Sequence, residues 1–136
     1  MKFNWKIFTK NNFDVLARPL VIALDFDGTC VAEEYPKVGK ALPGVVQTLH
    51  AFIAHNHKLI LWTCREGKEL KDAVNWFKER EIVLYAVNET PAEYEFRTPP
   101  GRKVLADLYI DDRSFGKLPD WSTIHLKILG KKLKPW

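Results

Sequence analysis

The chain has 136 residues, one domain's worth, and folding a chain of that size buries roughly two-thirds of the surface the unfolded chain exposes, so a core needs no staples. A composition of 46% hydrophobic and 28% charged residues is that of a globular domain, and no apolar run approaches the ~20 residues of a membrane span. The net charge of +4 suits an anionic partner.

The opening stretch, Met1 to Pro19, carries no uninterrupted apolar segment and no small-residue cleavage site, so no secretory signal is read and a cytoplasmic protein is expected. Phe3, Trp5 and Ile7 alternate along it, as in an arm that pairs across a sheet edge and joins copies of the chain in a homo-oligomer. "LVIALDF", Leu20 to Phe26, is a continuous apolar run and predicts a strand covered on both faces. "LPGVVQTLHAFIAHN" follows with Val45, Leu49, Phe52 and Ile53 at helical spacing and Pro43 suited to a first turn. "KLILWT", Lys58 to Thr63, predicts a second strand, and residues 66–81 a second helix striped by Leu70, Ala73, Val74 and Phe77. "IVLYAVN" predicts a third strand. After the polar, proline-rich "ETPAEYEFRTPPG", "KVLADLYIDD" supplies a fourth strand ending near Ile110. "PDWSTIHLKILG" predicts a closing helix with Asp120 as N-cap and Gly130 just past its end. The final "GKKLKPW" reads as a basic, solubilising tail in preference to a nucleic-acid contact, because no aromatic and basic residues interleave along the chain.

Strand–helix alternation predicts a single α/β domain: a three-layer, Rossmann-like parallel sheet, helices on both faces, an arm over 1–18, a core over 19–130 and the tail over 131–136. Ligands of such sheets bind beyond the carboxyl ends of the strands, where strand order reverses. Asp25 and Asp27, Thr63, and Asp111 and Asp112 stand at three of those ends. On an extended backbone, side chains two apart point the same way, so Asp25 and Asp27 are expected to share a pocket, with Gly28 turning the chain and Thr29 bonding the turn. Four clustered carboxylates repel one another unless a cation sits among them, and carboxylate oxygens suit a hard divalent ion such as Mg²⁺. Cys30 and Cys64 fit no zinc spacing and predict no disulfide. They are read as small residues packed near strand ends.

"DFDGT", "LILWT" and "YIDDR" resemble the first, second and fourth motifs of the haloacid dehalogenase-like superfamily of Asp-dependent phosphatases, and with "YPKVG" and "LILWTCREG" they look like a subgroup of small bacterial and phage hydrolases. The resemblance runs from about Leu20 to the closing helix. It implies a hydrolase in which Asp25 is the nucleophile that becomes an aspartyl-phosphate, and Asp27 the acid that protonates the leaving oxygen and then the base toward water. It also implies Mg²⁺ held by Asp25, by Asp27 through its backbone carbonyl and by one of Asp111 and Asp112, with Asp111 the closer match. Thr63 is implied as a hydrogen-bond donor to the phosphoryl group, and Lys103 as the cation beside it, with Arg102 and Lys117 as rivals. Gly28, Thr29, Thr63, Cys64 and Arg65 are expected to face the phosphate ester. The intervals between the motifs leave no room for the inserted cap of larger relatives, so Glu33, Glu34, Tyr35, Asn88, Glu89 and Arg97 remain to line the mouth. Arg113 is expected to pair with an acid. Two other readings stay open: a receiver-like domain that stores a phosphoryl group, against which Asn88 stands where its phosphoacceptor aspartate is needed, and a domain that binds phosphate or nucleic acid without turnover.

Overall fold

The structure is a computed structural model that describes residues 18–134. Strands β1 (Val21–Leu24), β2 (Lys58–Leu61), β3 (Ala86–Val87) and β4 (Leu108–Ile110) form one sheet in the order β3-β2-β1-β4. Every pairing is parallel; Leu24 lies opposite Leu61 on one side and Ile110 on the other. The apolar run that predicts β1 is buried along its whole length because its alternate side chains serve two cores. Leu20, Ile22 and Leu24 join the larger one, with residues of α1 (Val45–Ala54), α2 (Gly67–Glu79) and α3 (Trp121–Leu129). Val21 and Ala23 point into a smaller core with Ile60, Tyr94 and Val104.

The expected parallel α/β architecture is therefore present, with one difference in its layers. All three α-helices pack into the larger core, and the second face is covered by the 88–107 segment, which holds a 3₁₀ turn (Ala92–Tyr94) and no α-helix. The chain steps from β1 through β3 on the first face, and a right-handed return to β4 has to cross on the other. The prolines at 91, 99 and 100 deprive that crossing of the N–H groups a helix needs.

Several element ends differ from the periodicity. The third strand shrinks to two residues because the N–H of Ile82 turns back to Phe77 O (3.0 Å) and closes the end of α2, leaving Tyr85 N to start the contact with β2 at Leu59 O (2.7 Å). Helix α1 begins after Gly44, which at φ 81° turns the chain, so Pro43 precedes the helix. Strands β1 and β2 each stop short of the polar residues of the site. The closing helix is as expected: Asp120 Oδ1 accepts from Thr123 N at 2.8 Å, and Gly130 ends the helix in the left-handed region.

At the amino ends of the strands two side chains tie β1 to its neighbours. His57 Nδ1 accepts the Leu20 N–H at 2.9 Å, and buried Asp107 accepts from Val21 N and takes the Arg18 guanidinium through both oxygens. No helix among the described residues is long and apolar enough to cross a membrane. The arm residues Phe3, Trp5 and Ile7, and the end of the basic tail, lie outside the described residues.

Candidate active site

The sheet order reverses between β1 and β4, and the polar residues gather beyond the carboxyl ends of those two strands and of β2. The N–H of Asp25 still bonds Ile110 O (3.0 Å), so the first residue past β1 sits beside the first residue past β4. A tight turn follows. The carbonyl of Phe26 accepts from the N–H groups of Thr29, Cys30 and Val31, while the Phe26 ring is buried against Trp76 and Phe77. Gly28 stands at φ 79°, and a Cβ there would come within 2.4 Å of Asp112 Oδ2, so the missing side chain lets Asp112 close on the turn.

The turn folds Thr29 inward, and its fully buried hydroxyl becomes the clamp of the site. Thr29 Oγ1 donates to Asp25 Oδ2 at 2.9 Å, accepts from the Asp112 backbone N–H at 3.0 Å and lies 3.2 Å from Asp112 Oδ1. Trp121 of α3 braces it from behind through Nε1–H to Thr29 O at 2.8 Å. Asp25, Asp111 and Asp112 thereby each offer one oxygen, all within 4.8 Å of one another. Among the described residues no lysine or arginine forms an ion pair with any of the three. Burial, with the Asp112 carboxyl and the Asp111 charge adding to it, pushes the Asp25 carboxyl up to about 7, against a smaller opposing effect of the Thr29 hydroxyl. Three hard oxygen donors without a counter-charge are a set that fits a divalent cation.

Asp27 engages a different partner. Arg65 grips both of its oxygens, Nε to Oδ2 and Nη2 to Oδ1, each at 2.7 Å. Thr63, just past β2, is held by Asn88, whose Oδ1 accepts the Thr63 N–H at 2.8 Å. Asn88 is itself anchored by its N–H to Leu61 O, 2.7 Å. Thr63 Oγ1 accepts from Arg65 N at 3.1 Å, which leaves the hydroxyl proton free to donate outward.

Comparison with protein-family models and with the curated proteins gives no match. Among solved structures, a conserved protein of Bacteroides thetaiotaomicron is 42% identical, over 85% of this chain and 94% of that one, with a TM-score of 0.76. The chain belongs to that protein's family.

Several expectations for single residues change in this family member. Asp25, Asp111 and Asp112 come together as read, and both acids of the pair reach the cluster because β4 ends at Ile110 and a turn, not a strand, carries them. The Asp27 carboxylate is not among them, since Arg65 occupies both its oxygens. Arg65 does not face a substrate: its side chain is 1% exposed and its donors are spent within the protein. Thr29 is likewise a buried brace and not a surface contact. Lys103 forms no ion pair with the acids, its ammonium lying over the Tyr109 ring, 4.9 Å from the centroid, and neither rival, Arg102 nor Lys117, pairs with them. Arg97 pairs with Glu95 and donates to Lys103 O, bracing the 88–107 segment. Arg113 extends an exposed side chain, and its backbone N–H, not its guanidinium, binds Asp111. Cys30 is packed as expected, burial raising its thiol far from reactivity, whereas Cys64 is exposed and free. Tyr35 stays exposed at the mouth, and Gly28 borders a cavity of about 550 Å³ lined by Pro43, Leu118 and Trp121. Asn88 and Trp121 are the positioning residues that the spacing of the motifs does not reveal, because each acts across the fold on a residue distant in sequence.

Proposed function

We propose that the protein is a divalent-cation-dependent phosphomonoester hydrolase that works through an aspartyl-phosphate on Asp25, the activity that the motif resemblance implies. The observation that carries the reading is the meeting of Asp25, Asp111 and Asp112 at the reversal of strand order, three carboxylates that no lysine or arginine among the described residues pairs with. An Asp25 oxygen forms the new bond to phosphorus as the ester P–O bond breaks, and Asp27 gives its proton to the departing oxygen. Water then attacks phosphorus, Asp27 takes back a proton, and the bond from Asp25 breaks to release phosphate. Thr63, with its hydroxyl proton unspent, donates to a phosphoryl oxygen.

Asp25, Asp111 and Asp112 would hold the cation, with the Asp27 carbonyl. When bound, Mg²⁺ would offset the charge gathered between nucleophile and phosphoryl oxygens and favour the ionised form of Asp25.

The test is phosphate release from para-nitrophenyl phosphate with Mg²⁺, with excess EDTA, and with Asp25→Asn. Release that needs Mg²⁺ and falls by about three orders of magnitude or more in the variant is expected, the scale of losing a nucleophile. A chain that becomes phosphorylated yet frees no phosphate would point to phosphoryl storage, and no reaction with any ester would point to a binding domain.

A further inference from the structure

Arg65 is almost wholly buried, yet its guanidinium reaches three separate parts of the chain. Nε and one Nη2 hydrogen go to Asp27. The other Nη2 hydrogen goes to Lys37 O at 2.7 Å, and Nη1 donates to Pro36 O at 3.1 Å and Glu69 O at 3.2 Å. A guanidinium has five N–H donors in one plane, and all of them are used. The rings of Phe26 and Tyr35 lie against it, each centroid 5.2 Å from Cζ. Phe26 is locked in the core, and Glu69 belongs to the first turn of α2, so these two contacts give the group a fixed seat. The remaining contacts join two things that the chemistry needs to coordinate: Asp27, and the backbone of the mouth loop at Pro36 and Lys37.

We infer that Arg65 is a positioning residue that ties the orientation of Asp27 to the position of the mouth loop Tyr35–Lys37. The inference rests on the reading of Asp27 as the proton-transfer group, but the tie itself is a property of the resting fold. With its plane held by Phe26 and Glu69, the guanidinium cannot follow the loop without turning its fork relative to the Asp27 carboxylate. A substrate that presses on Tyr35, which is 57% exposed above the guanidinium, therefore acts on the contact that keeps Asp27 docked. Lysine cannot replace this device, having three donors on a point charge in place of a planar fork.

The experiment uses the full chain and two variants, Arg65→Lys, which keeps the buried charge, and Asp27→Asn, which keeps the shape of the partner. Hydrogen exchange is read at two mouth-loop amides, Ala32 (bonded to Lys40 O) and Lys37 (bonded to Glu34 O), against β1 amides as an internal control. Both variants are expected to exchange at least about tenfold faster at the loop, with β1 unchanged. Loop exchange unchanged in either variant overturns the tie, whatever the kinetics. In parallel, Arg65→Lys should lower kcat for an alkyl phosphate about tenfold or more and for para-nitrophenyl phosphate by less than about threefold, because only the poor leaving group draws on a positioned acid. Equal losses for the two esters overturn the claim that the tie reaches Asp27. If the wild-type chain hydrolyses neither ester, the phosphatase reading fails by itself, and loop exchange still decides whether Arg65 couples Asp27 to the loop.

Discussion

A single buried hydroxyl organises the candidate site: Thr29 touches Asp25 and Asp112 at once, and its position depends on a glycine one residue before it. Gly28→Ala would put a β-carbon where Asp112 Oδ2 now lies and would hold alanine in a left-handed conformation that costs about 1–2 kcal/mol. We expect a loss of stability of that order in denaturant unfolding and a Mg²⁺ affinity, read by calorimetric titration, weakened about tenfold as Asp112 is displaced. Unchanged affinity would remove Asp112 from the proposed cation site. Asp25 supplies a second expectation at this scale. Its folded-state value of about 7 lies above the 3.8 of the exposed group, so the stability it contributes is complete below pH 3.8 and is lost as pH rises through 7. Without divalent cations the wild-type melting temperature should carry this downward slope with rising pH, and Asp25→Asn should remove it and melt higher at neutral pH.

At the scale of elements, the amino ends of the strands show the opposite linkage. His57, at the start of β2, accepts the Leu20 N–H and is held neutral by burial, its pKa lowered from 6.5 with the nearby His55 as a lesser cause. Its contribution is present above pH 6.5 and is lost as pH falls below that value toward the folded one, since the unfolded chain takes up the proton more readily. His57→Asn retains an acceptor for Leu20 but does not titrate. Its unfolding free energy should therefore fall less than that of the wild type between pH 6.5 and 5, at a cost near neutrality of about 1 kcal/mol for the altered hydrogen bond. An acid limb identical to that of the wild type would show that His57 is not the group responsible.

For the whole molecule, a divalent cation held by Asp25, Asp111 and Asp112 as proposed would make the fold and the cation interdependent. A ligand that binds only the folded chain stabilises it by mass action, about 2.7 kcal/mol at a hundred times its dissociation constant. Mg²⁺ in the millimolar range should raise the melting temperature of the wild-type chain, and Asp111→Asn should diminish that rise. A melting curve indifferent to Mg²⁺ would leave the cluster without a cation. The described residues carry no inserted cap, so under the proposed function substrate contacts beyond the phosphoryl group would fall to the mouth loop around Tyr35 and to the region bordered by Asn88 and Arg102, where a cavity of about 670 Å³ opens.

Local patterns by themselves determined the alternation of strands and helices along the chain, the cap residues Asp120 and Gly130 of the closing helix, and the placing of Asp25, Thr63, Asp111 and Asp112 at or just past strand ends. Each of these follows from side-chain periodicity or from a short motif, and such information is contained within a few residues. Only the tertiary structure decided that Asp27 belongs to Arg65, that Thr29 is a buried clamp, that Lys103 rests on Tyr109, and that Asn88 and Trp121 hold Thr63 and Thr29 in place. It also decided that an irregular segment, and not a helix, closes the second face. The partners in these contacts are far apart in sequence: Asp27 and Arg65 by 38 positions, Thr29 and Trp121 by 92. A charged or polar side chain is legible as reactive from its type, but which opposite charge or carbonyl satisfies it depends on which chain segments the packed core brings within about 3 Å.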